Sequence, residues 1–489
     1  MLFNSYTFIL IFLPLVAAAY FLLHRFAAAK WAFLFLLTAS LSFMSFWNVH
    51  FALTLIVSVL FNFICGTALS AAAQKDAKSK KPIFILSIVF NVLYLGFFKY
   101  SNFFLENINV LFQANIQRLD LLLPLGISFY TFMQIAWLTD IYRRGGYRYD
   151  FLNYCLYVTF FPYVISGPIA YHSEIIPQLQ SKNVGIFNIS NVCRGLFIFS
   201  IGLFKKAAIA DTLAVIADGG FAATGNLTFT EAWLTSLSYT MQLYFDFSGY
   251  TDMAIGIALF FNIDLPANFN SPYKSLDIRE FWRRWHITLS RFLRDYIYIP
   301  LGGNRAGELR LYINLMLTFL IGGLWHGAAW TFVFWGFLHG SALCIHRIWM
   351  KTGISLPKIP AWFLTFNFIN AAWVFFRASS LSDAFRILKG MAGLNGILVS
   401  PNLTGSAFWQ KMTAFGVQFG QWRAHLPKAE PIEYFLCILL IPVVLFAKNS
   451  NQYFGQFVPG WKNALWASLM MIAGLLLLNR TSSFLYFNF

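Results

Sequence analysis

The sequence has few charged residues and lacks the short motifs of soluble hydrolases and nucleotide-binding enzymes. Asp, Glu, Lys and Arg make up 11% of its 489 residues, whereas about 25% is usual in soluble domains. No zinc-binding spacing, GxSxG elbow, HExxH motif or P-loop occurs, and we expect no metal ion. We expect the cysteines to be small buried side chains, because no two are closely spaced (Cys65, Cys155, Cys193, Cys344 and Cys437).

Apolar residues dominate the chain instead. They make up 58% of the sequence, with 57 phenylalanines. Apolar windows of the roughly 17–25 residues that span a bilayer recur along the whole length, and about eleven to thirteen can be counted. We therefore predict an all-α, polytopic membrane protein that spans the lipid bilayer with helices.

The positive charge is placed as in a membrane protein. The net charge of +16 would suit a nucleic-acid partner, but the basic residues lie in short clusters between apolar windows. Such clusters mark cytoplasmic loops, and we expect no nucleic-acid partner. Alternation of the loops places the N-terminus on the outer face, and it places the C-terminus there as well if the segment 377–433 lies outside. The clusters are His24-Arg25, Lys75 to Lys81, Arg143-Arg144 and Lys205-Lys206.

Two segments carry Pro and Gly where a span would be expected. They are "FPYVISGPIAY" (161–171) and "IYIPLGGN" (297–304). Irregular backbone at membrane depth is tolerated only when it is buried in protein or lines a wet cavity. We therefore predict short or re-entrant pieces in both places.

The densest polar segment is "REFWRRWHITLSRFLRDYIYIPLGGNR" (279–305), in which arginines alternate with aromatic residues. This mixture is typical of a helix at the membrane–water boundary. One interpretation is an anchor on the inner face. The other is a cytosolic mouth for an anionic donor, because guanidinium groups bind phosphates well; the candidate donor-binding residues are Arg283, Arg284 and Arg291. His286, in the same segment, is either a base that faces the ligand or another interfacial polar group.

Two carboxylates, Asp246 and Asp252, lie inside an apolar window. Six residues correspond to roughly 600° of helix rotation, so the two do not share a face and do not form a paired-carboxylate site. We favour a structural role in which each ties its helix to a nearby Arg or Tyr.

A single histidine lies in the apolar run "GGLWHGAAW" (322–330). Counted from Arg310 at a cytosolic end, His326 lies about 24 Å along the helix, near the outer turn between two spans. A structural histidine is one interpretation. We favour function, because an ionisable group in a span is costly and usually faces a cavity, and because neutral imidazole suits general-base catalysis. Gly322, Gly323 and Gly327 would let backbone or substrate approach closely.

Three motifs together resemble the membrane-bound O-acyltransferase family, in particular its bacterial branch that serves polysaccharide O-acetylation. They are "QLYFDFSGYTDMAIG" (242–256), "FWRRWHITLSRFLRDYIYIPLGGNR" (281–305) and "GGLWHGAAWTFVFWGFLHG" (322–340). The likeness runs from "LFNSYTFILIFLPL" (2–15) to the last residue and is strongest over about 239–340. The segment from about 378 to 433 matches poorly, and nothing is carried over for it.

The resemblance implies a single membrane domain over residues 1–489, a ring of tilted helices around a thin centre with a cytosolic tunnel and an outer funnel. It implies an acetyltransferase that passes an acetyl group from a cytosolic thioester, acetyl-CoA or a carrier protein, towards alginate-like polysaccharide or peptidoglycan. It makes His326 and His286 the two catalytic histidines. A periplasmic transferase would complete the transfer, both termini of the chain would lie on the periplasmic face of the inner membrane, and no cofactor would be bound permanently.

The chain ends in the aromatic tail "FLYFNF" (484–489), part of a C-terminal tail over 480–489. Similar tails in this branch are implicated in acyl relay, and a phenol with a pKa near 10 is a better leaving group than an alkyl alcohol. One hypothesis makes Tyr486 a covalent relay that His326 deprotonates. The other makes the tail an interfacial aromatic anchor.

Two other functions are weighed against this one. A secondary transporter or flippase without covalent chemistry would show internal repeats and paired broken helices at matching positions, and the sequence shows neither. The second alternative is an enzyme that acylates a lipid or a protein. The bacterial-type motifs and the aromatic tail argue against it.

Overall fold

The computed structural model describes residues 1–75, 77–305, 307–421, 423–426, 431–480 and 485. Within these ranges the chain is almost entirely helical, as predicted. The strands that the described residues form are β1 (Ile397–Val399) and β2 (Val417–Phe419), which pair in parallel.

The first half of the chain forms a series of helices that begins with a π-helical turn, Thr7–Phe12. A second π-helical stretch, Lys205–Ala210, joins α8 to α9. The helices are α1 (Leu13–Phe26), α2 (Ala29–Ser45), α3 (Val49–Gln74), α4 (Lys80–Phe112), α5 (Ile127–Arg144), α6 (Phe151–Thr159), α7 (His172–Leu179), α8 (Ile189–Phe204), α9 (Asp211–Ala222) and α10 (Phe229–Phe260).

The second half begins with two short helices and a third π-helical stretch, Arg294–Tyr298. Single 3-10 turns lie at Pro272–Lys274, Pro401–Leu403, Thr413–Phe415 and Leu478–Arg480. The helices are α11 (Ile278–Arg284), α12 (Ile287–Leu293), α13 (Glu308–His326), α14 (Trp330–Lys351), α15 (Lys358–Arg377), α16 (Leu381–Met391), α17 (Ala407–Met412), α18 (Pro431–Phe446), α19 (Ser450–Gly455) and α20 (Trp461–Leu476).

Several helices have the length and composition of membrane spans. In the part of the chain that the structure describes, five meet both criteria, and the shorter helix α2 and Glu433–Phe446 are also apolar. The protein is therefore a multi-pass membrane protein; the count of eleven to thirteen crossings stays a prediction. The five are Thr7–Phe26, Val49–Gln74, Lys80–Phe112, Glu308–His326 and Lys358–Arg377.

Helix α10 forms the centre of the molecule. Every residue from Ser238 to Leu259 is buried, because helices α8, α9, α15, α16 and α18 pack around it. Glycines allow the closest of these contacts: a Cβ atom on Gly249 would lie 2.7 Å from the Gly202 carbonyl oxygen, and one on Gly256 would lie 2.6 Å from that of Gly195. Helices α8 and α10 thus touch through their backbones, as small residues permit in membranes.

The irregular segment predicted over 161–171 is confirmed. Residues 161–167 form turns and a bend, and residues 161–170 are all buried. Ordered partners satisfy its backbone: the Phe161 N–H donates to the Ser40 hydroxyl at 3.2 Å and the Ile169 N–H donates to the Thr288 hydroxyl at 3.0 Å. After the π-helical stretch Arg294–Tyr298, residues 299–305 also run as turns. Burial in protein explains why the irregular backbone of 161–170 is tolerated, whereas residues 299–305 are mostly exposed.

The two buried carboxylates have the structural role that was predicted, but their partners are lysines. Asp246 pairs with Lys206 at 2.7 Å, and Lys206 also contacts Asp211 at 2.8 Å. Asp252 pairs separately with Lys205 at 2.7 Å. Both lysines are buried on the π-helical stretch that packs against α10. The prediction that Lys205-Lys206 is a cluster in a cytoplasmic loop was therefore wrong.

The segment from 378 to 426 packs against the first turns of α10. The Phe229 N–H donates to the Gly396 carbonyl at 3.0 Å, and the Thr230 hydroxyl donates to that of Leu398 at 2.9 Å. The buried carboxylate of Glu231 accepts from both the backbone N–H and the ring of His425, at 2.7 and 3.2 Å. The segment is therefore attached to the N-terminal end of the central helix.

Candidate active site

His326 is the last residue of α13 and is 4% exposed. The helix ends there against α14, and the crossing is made close by Gly323 and Gly336: a Cβ atom on either glycine would collide with a backbone carbonyl of the other helix. A side chain on Gly327 would collide with the ring of Phe332. The expected close backbone approach is therefore present, and it fixes the position at which α13 delivers its histidine.

Helix α4 holds the end of α13 in place. The Lys99 ammonium donates to the carbonyls of Trp325 and His326 at 2.5 and 3.2 Å, and the Tyr100 hydroxyl donates to that of Leu324 at 2.8 Å. The last carbonyls of a helix lack partners within it and carry partial negative charge. The Lys99 ammonium supplies these carbonyls with both a hydrogen-bond donor and a positive charge, and we infer that it fixes the His326 backbone.

Aromatic rings surround the His326 imidazole and bring it near the second histidine. The rings of Trp335 and Phe376 meet it edge to face, with centroids 5.1 and 5.0 Å away. The His286 imidazole lies 6.5 Å from it, centroid to centroid. The two histidines that the sequence singled out thus lie in one buried site, although 40 residues separate them.

His286 reaches this site through a sharp bend. The arginine-rich segment is not one helix, because α11 ends at Arg284 and α12 begins at Ile287. Between them His286 has a φ of 41°, a left-handed conformation that side chains rarely adopt. Asn268 fixes the bend: its side-chain oxygen accepts from the Thr288 hydroxyl at 2.6 Å, and its carbonyl accepts from the Ile287 N–H at 2.9 Å. The strained residue lies at the site, as such residues often do.

The environment of His286 decides between the two interpretations of this residue. Its side chain is 0% exposed, and the ring of Phe247 packs against it edge to face at 4.8 Å. His286 is therefore an interior residue next to His326 and not an interfacial polar group.

A third buried histidine, His339, adjoins the site. Its Nδ1 accepts from the indole N–H of Trp282 at 3.2 Å. The Trp282 ring lies 5.8 Å from that of Trp335, which contacts His326. His339 lies within the motif 322–340 but was given no role from the sequence. Its spacing of four residues from Trp335 places both on one helix face.

A cavity of 500 Å³ opens beside this aromatic group. Trp282 forms part of its wall, so two indole rings, those of Trp282 and Trp335, lie between the cavity and His326. The rest of the lining combines apolar and hydroxyl side chains with four arginines. These are Arg279, Arg283, Arg291 and Arg294.

The predicted donor-binding arginines differ in what they contact. Arg283 lines the cavity and is exposed, and no carboxylate in the described part of the chain pairs with it. Arg291 also lines the cavity, but Glu174 holds its guanidinium at 2.5 and 2.9 Å. The Arg284 guanidinium donates to Glu280 at 2.8 and 3.0 Å and to the Asn270 carbonyl at 3.0 Å, and it is not part of the lining.

Tyr486 lies outside the residues that the structure describes. Its neighbour Leu485 is described and is 6% exposed. The Leu485 N–H donates to the Asp246 carboxylate at 3.0 Å, although 239 positions separate the two residues. Asp246 precedes Phe247, the ring that packs against His286. Leu485 is thus held in the interior by Asp246, and the next residue of α10, Phe247, forms part of the wall of the site.

Comparison with known proteins identifies the family. The model of the membrane-bound O-acyltransferase family matches residues 9–382, which include both histidines and the arginine-lined cavity. The chain belongs to this family. It is therefore an acyltransferase, and the segment beyond residue 382, which matched poorly in sequence, lies outside the family match.

Individual relatives extend the match. A peptidoglycan O-acetyltransferase of Helicobacter pylori is 46% identical, over 100% of this chain and 98% of its own length. A probable alginate O-acetylase of Pseudomonas aeruginosa is 39% identical, over 83% and 78%. A teichoic acid D-alanyltransferase of Bacillus subtilis is 29% identical over 50% of this chain and 66% of its own.

Proposed function

We propose that this acyltransferase moves acetyl groups from a cytosolic thioester across the inner membrane for O-acetylation of a cell-surface polysaccharide, with peptidoglycan as the acceptor polymer. The buried pair His326 and His286, 6.5 Å apart beside an arginine-lined cavity, carries the proposal. Peptidoglycan is favoured over alginate because the peptidoglycan relative matches over the whole chain and the alginate relative over 83%.

The donor is acetyl-CoA, which enters from the cytosolic side. Its phosphates bind the arginines at the mouth of the 500 Å³ cavity, where Arg283 has no competing carboxylate in the described chain. The apolar inner part of the cavity, bounded by Trp282, receives the thioester, which has to pass the indole rings of Trp282 and Trp335 to reach His326. No group has to be bound permanently for this chemistry.

His326 acts as the general base of a two-step transfer. In the first step it takes the phenol proton of Tyr486 while the phenol oxygen attacks the thioester carbonyl. The C–S bond breaks, and the imidazolium returns the proton to the thiolate, which leaves as CoA. In the second step the hydroxyl of a periplasmic transferase or of the sugar attacks acetyl-Tyr486, and the phenol is regenerated.

The anchoring of Leu485 supports a relay over an interfacial anchor. An anchor would hold the tail at the membrane surface, whereas the Leu485 N–H bonds to Asp246 in the buried centre. The segment 392–421, most of whose residues are exposed or half-buried, offers a surface for the periplasmic transferase.

A transporter without covalent chemistry is not favoured by the family match or by the relatives, two of which are named as O-acetylating proteins. The experiment that tests the function is analysis of muropeptides from cells with and without the protein. We expect O-acetyl groups on peptidoglycan to disappear when the gene is deleted and to return on complementation. Unchanged peptidoglycan with loss of acetyl groups from another polymer would contradict the acceptor.

The adjacent residues Arg283 and Arg284 provide a matched test of the donor site. We expect Arg283→Ala to raise the KM for acetyl-CoA about tenfold or more with little change in kcat, because a charge-assisted hydrogen bond contributes roughly 1.5–3 kcal/mol. Arg284→Ala should change KM less than about twofold, since its guanidinium is bound to Glu280. Initial rates in proteoliposomes measure both. Equal effects of the two substitutions would count against the cavity as the donor site.

A further inference from the structure

An apolar groove runs along the lipid-facing side of α1. It has a volume of 910 Å³ and lies between α1, α8, α20 and the end of α10. A second apolar cavity of 440 Å³ shares two of its wall residues, Leu196 and Met471, and continues between α8 and α20. Together they provide two adjoining apolar channels. The groove ends at His24 and Arg25, the basic residues at the end of α1.

The end of the apolar groove adjoins a polar pocket. This pocket has a volume of 600 Å³ and shares the Phe187 side chain with the groove. Side-chain amides and a hydroxyl form most of its lining. They belong to Gln178, Ser181, Asn183, Asn188, Asn191 and Asn262.

The polar pocket is built by specific contacts. Asn262 has a φ of 58°, and its amide nitrogen donates to three carbonyls of one loop, those of Asn183, Val184 and Ile186, at 3.1, 3.3 and 2.7 Å. Its amide oxygen accepts from Asn191 at 2.9 Å. The loop is therefore held on the end of α10, and the pocket is present without a ligand.

The surroundings place this pocket at the membrane–water boundary, on the basic side. Phe26, Trp31 and Phe187 are 76%, 52% and 58% exposed, as aromatic residues of the interfacial belt are. Arg25 and Lys182 are also exposed, and no carboxylate in the described ranges pairs with either. Basic pockets between helices on the cytoplasmic side bind anionic headgroups.

We propose that the groove, the second cavity and the pocket bind one anionic diacyl phospholipid of the phosphatidylglycerol class from the cytoplasmic leaflet. Its two acyl chains occupy the apolar channels. Its phosphate lies at Arg25 and Lys182, and the hydroxyls of its headgroup bond to the side-chain amides of Asn183 and Asn188, because the amides of Gln178 and Asn262 already bond within the protein. A choline headgroup has no hydrogen-bond donor for these amides. The lipid holds α1 against α8 and α20, which is a role separate from acyl transfer.

Thermal unfolding of the delipidated full-length protein in detergent tests the proposal. We expect phosphatidylglycerol to raise the Tm by roughly 3–5 °C at saturation. Phosphatidylcholine with the same acyl chains should raise it by less than about 1 °C. An equal shift with phosphatidylcholine would refute the headgroup assignment. The same shift with glycerol 1-phosphate, which has no acyl chain, would refute the role of the apolar channels.

Two variants assign the effect to the site. Ala18 lines the groove, and Ala18→Trp should fill it and abolish the lipid-dependent shift. Arg25→Gln should lower the affinity for phosphatidylglycerol about tenfold and leave the weak effect of phosphatidylcholine unchanged. Val57→Trp, at a 53% exposed position of α3, is the control and should keep the full shift. A full shift in Ala18→Trp, or an unchanged affinity in Arg25→Gln, would overturn the proposal.

Discussion

His326→Ala is expected to lower acetyl transfer by at least about 10²–10⁴-fold while the protein still accumulates in the membrane. The imidazole is 4% exposed and is enclosed by aromatic rings, with a second imidazole 6.5 Å away. Among the described residues, His326 is the one ionisable side chain whose ring contacts both Trp335 and Phe376. Loss of the base therefore removes the group that would take a proton during attack on the thioester. O-Acetyl content of the polymer and transfer from labelled acetyl-CoA both measure it.

The matched control is His50→Ala. His50 is exposed and lies in the first turn of α3, away from the site, and we expect acetylation to be normal in this variant. The abundance of each variant in the membrane is compared by immunoblot. Normal acetylation in His326→Ala at equal abundance would make His326 a packing residue and would leave His286 as the candidate base.

Lys206→Met is expected to lower the free energy of unfolding by about 3–5 kcal/mol, the cost of breaking a buried ion pair. The Lys206 side chain is 2% exposed and lies between the carboxylates of Asp211 and Asp246, each 1% exposed. Without the ammonium, two negative charges remain buried close together. Asp246 also accepts a hydrogen bond from the Leu485 N–H, so we expect the substitution to weaken the attachment of Leu485 as well. The Tm in detergent measures the effect.

Lys351→Met gives the comparison at the surface. Lys351 pairs with Glu308, but their side chains are 45% and 65% exposed, and exposed pairs contribute only about 0–1 kcal/mol. A Lys206→Met protein with the Tm of Lys351→Met would show that the buried triad does not stabilise the fold.

Much of the architecture could be predicted from the sequence because it depends on local composition. Long apolar runs specify helices in a bilayer, and Pro and Gly mark the buried irregular segment at 161–171. The helical period alone showed that Asp246 and Asp252 could not share a site, and the structure gives them separate lysines. His326 could be singled out because an ionisable group in an apolar run is costly.

Other parts of the site depend on contacts between distant segments and could not be predicted in this way. The bend at His286 is fixed by Asn268, about 20 residues earlier, and the arginine-rich pattern was read as one helix. Lys99 was given no role from the sequence, although it lies within α4 and caps α13. A lysine well inside an apolar stretch was the available signal. The bond between Trp282 and His339 has no counterpart in sequence spacing.

The central claim is that His326 drives transfer of an acetyl group from a cytosolic thioester to Tyr486. The most direct measurement is peptide mass spectrometry of purified protein in sealed proteoliposomes after addition of isotope-labelled acetyl-CoA. We predict a labelled acetyl ester on Tyr486 in the wild type, none in Tyr486→Phe and none in His326→Ala. Labelled acetyl transfer to acceptor at the wild-type rate by Tyr486→Phe, or labelled Tyr486 in His326→Ala, would contradict the account.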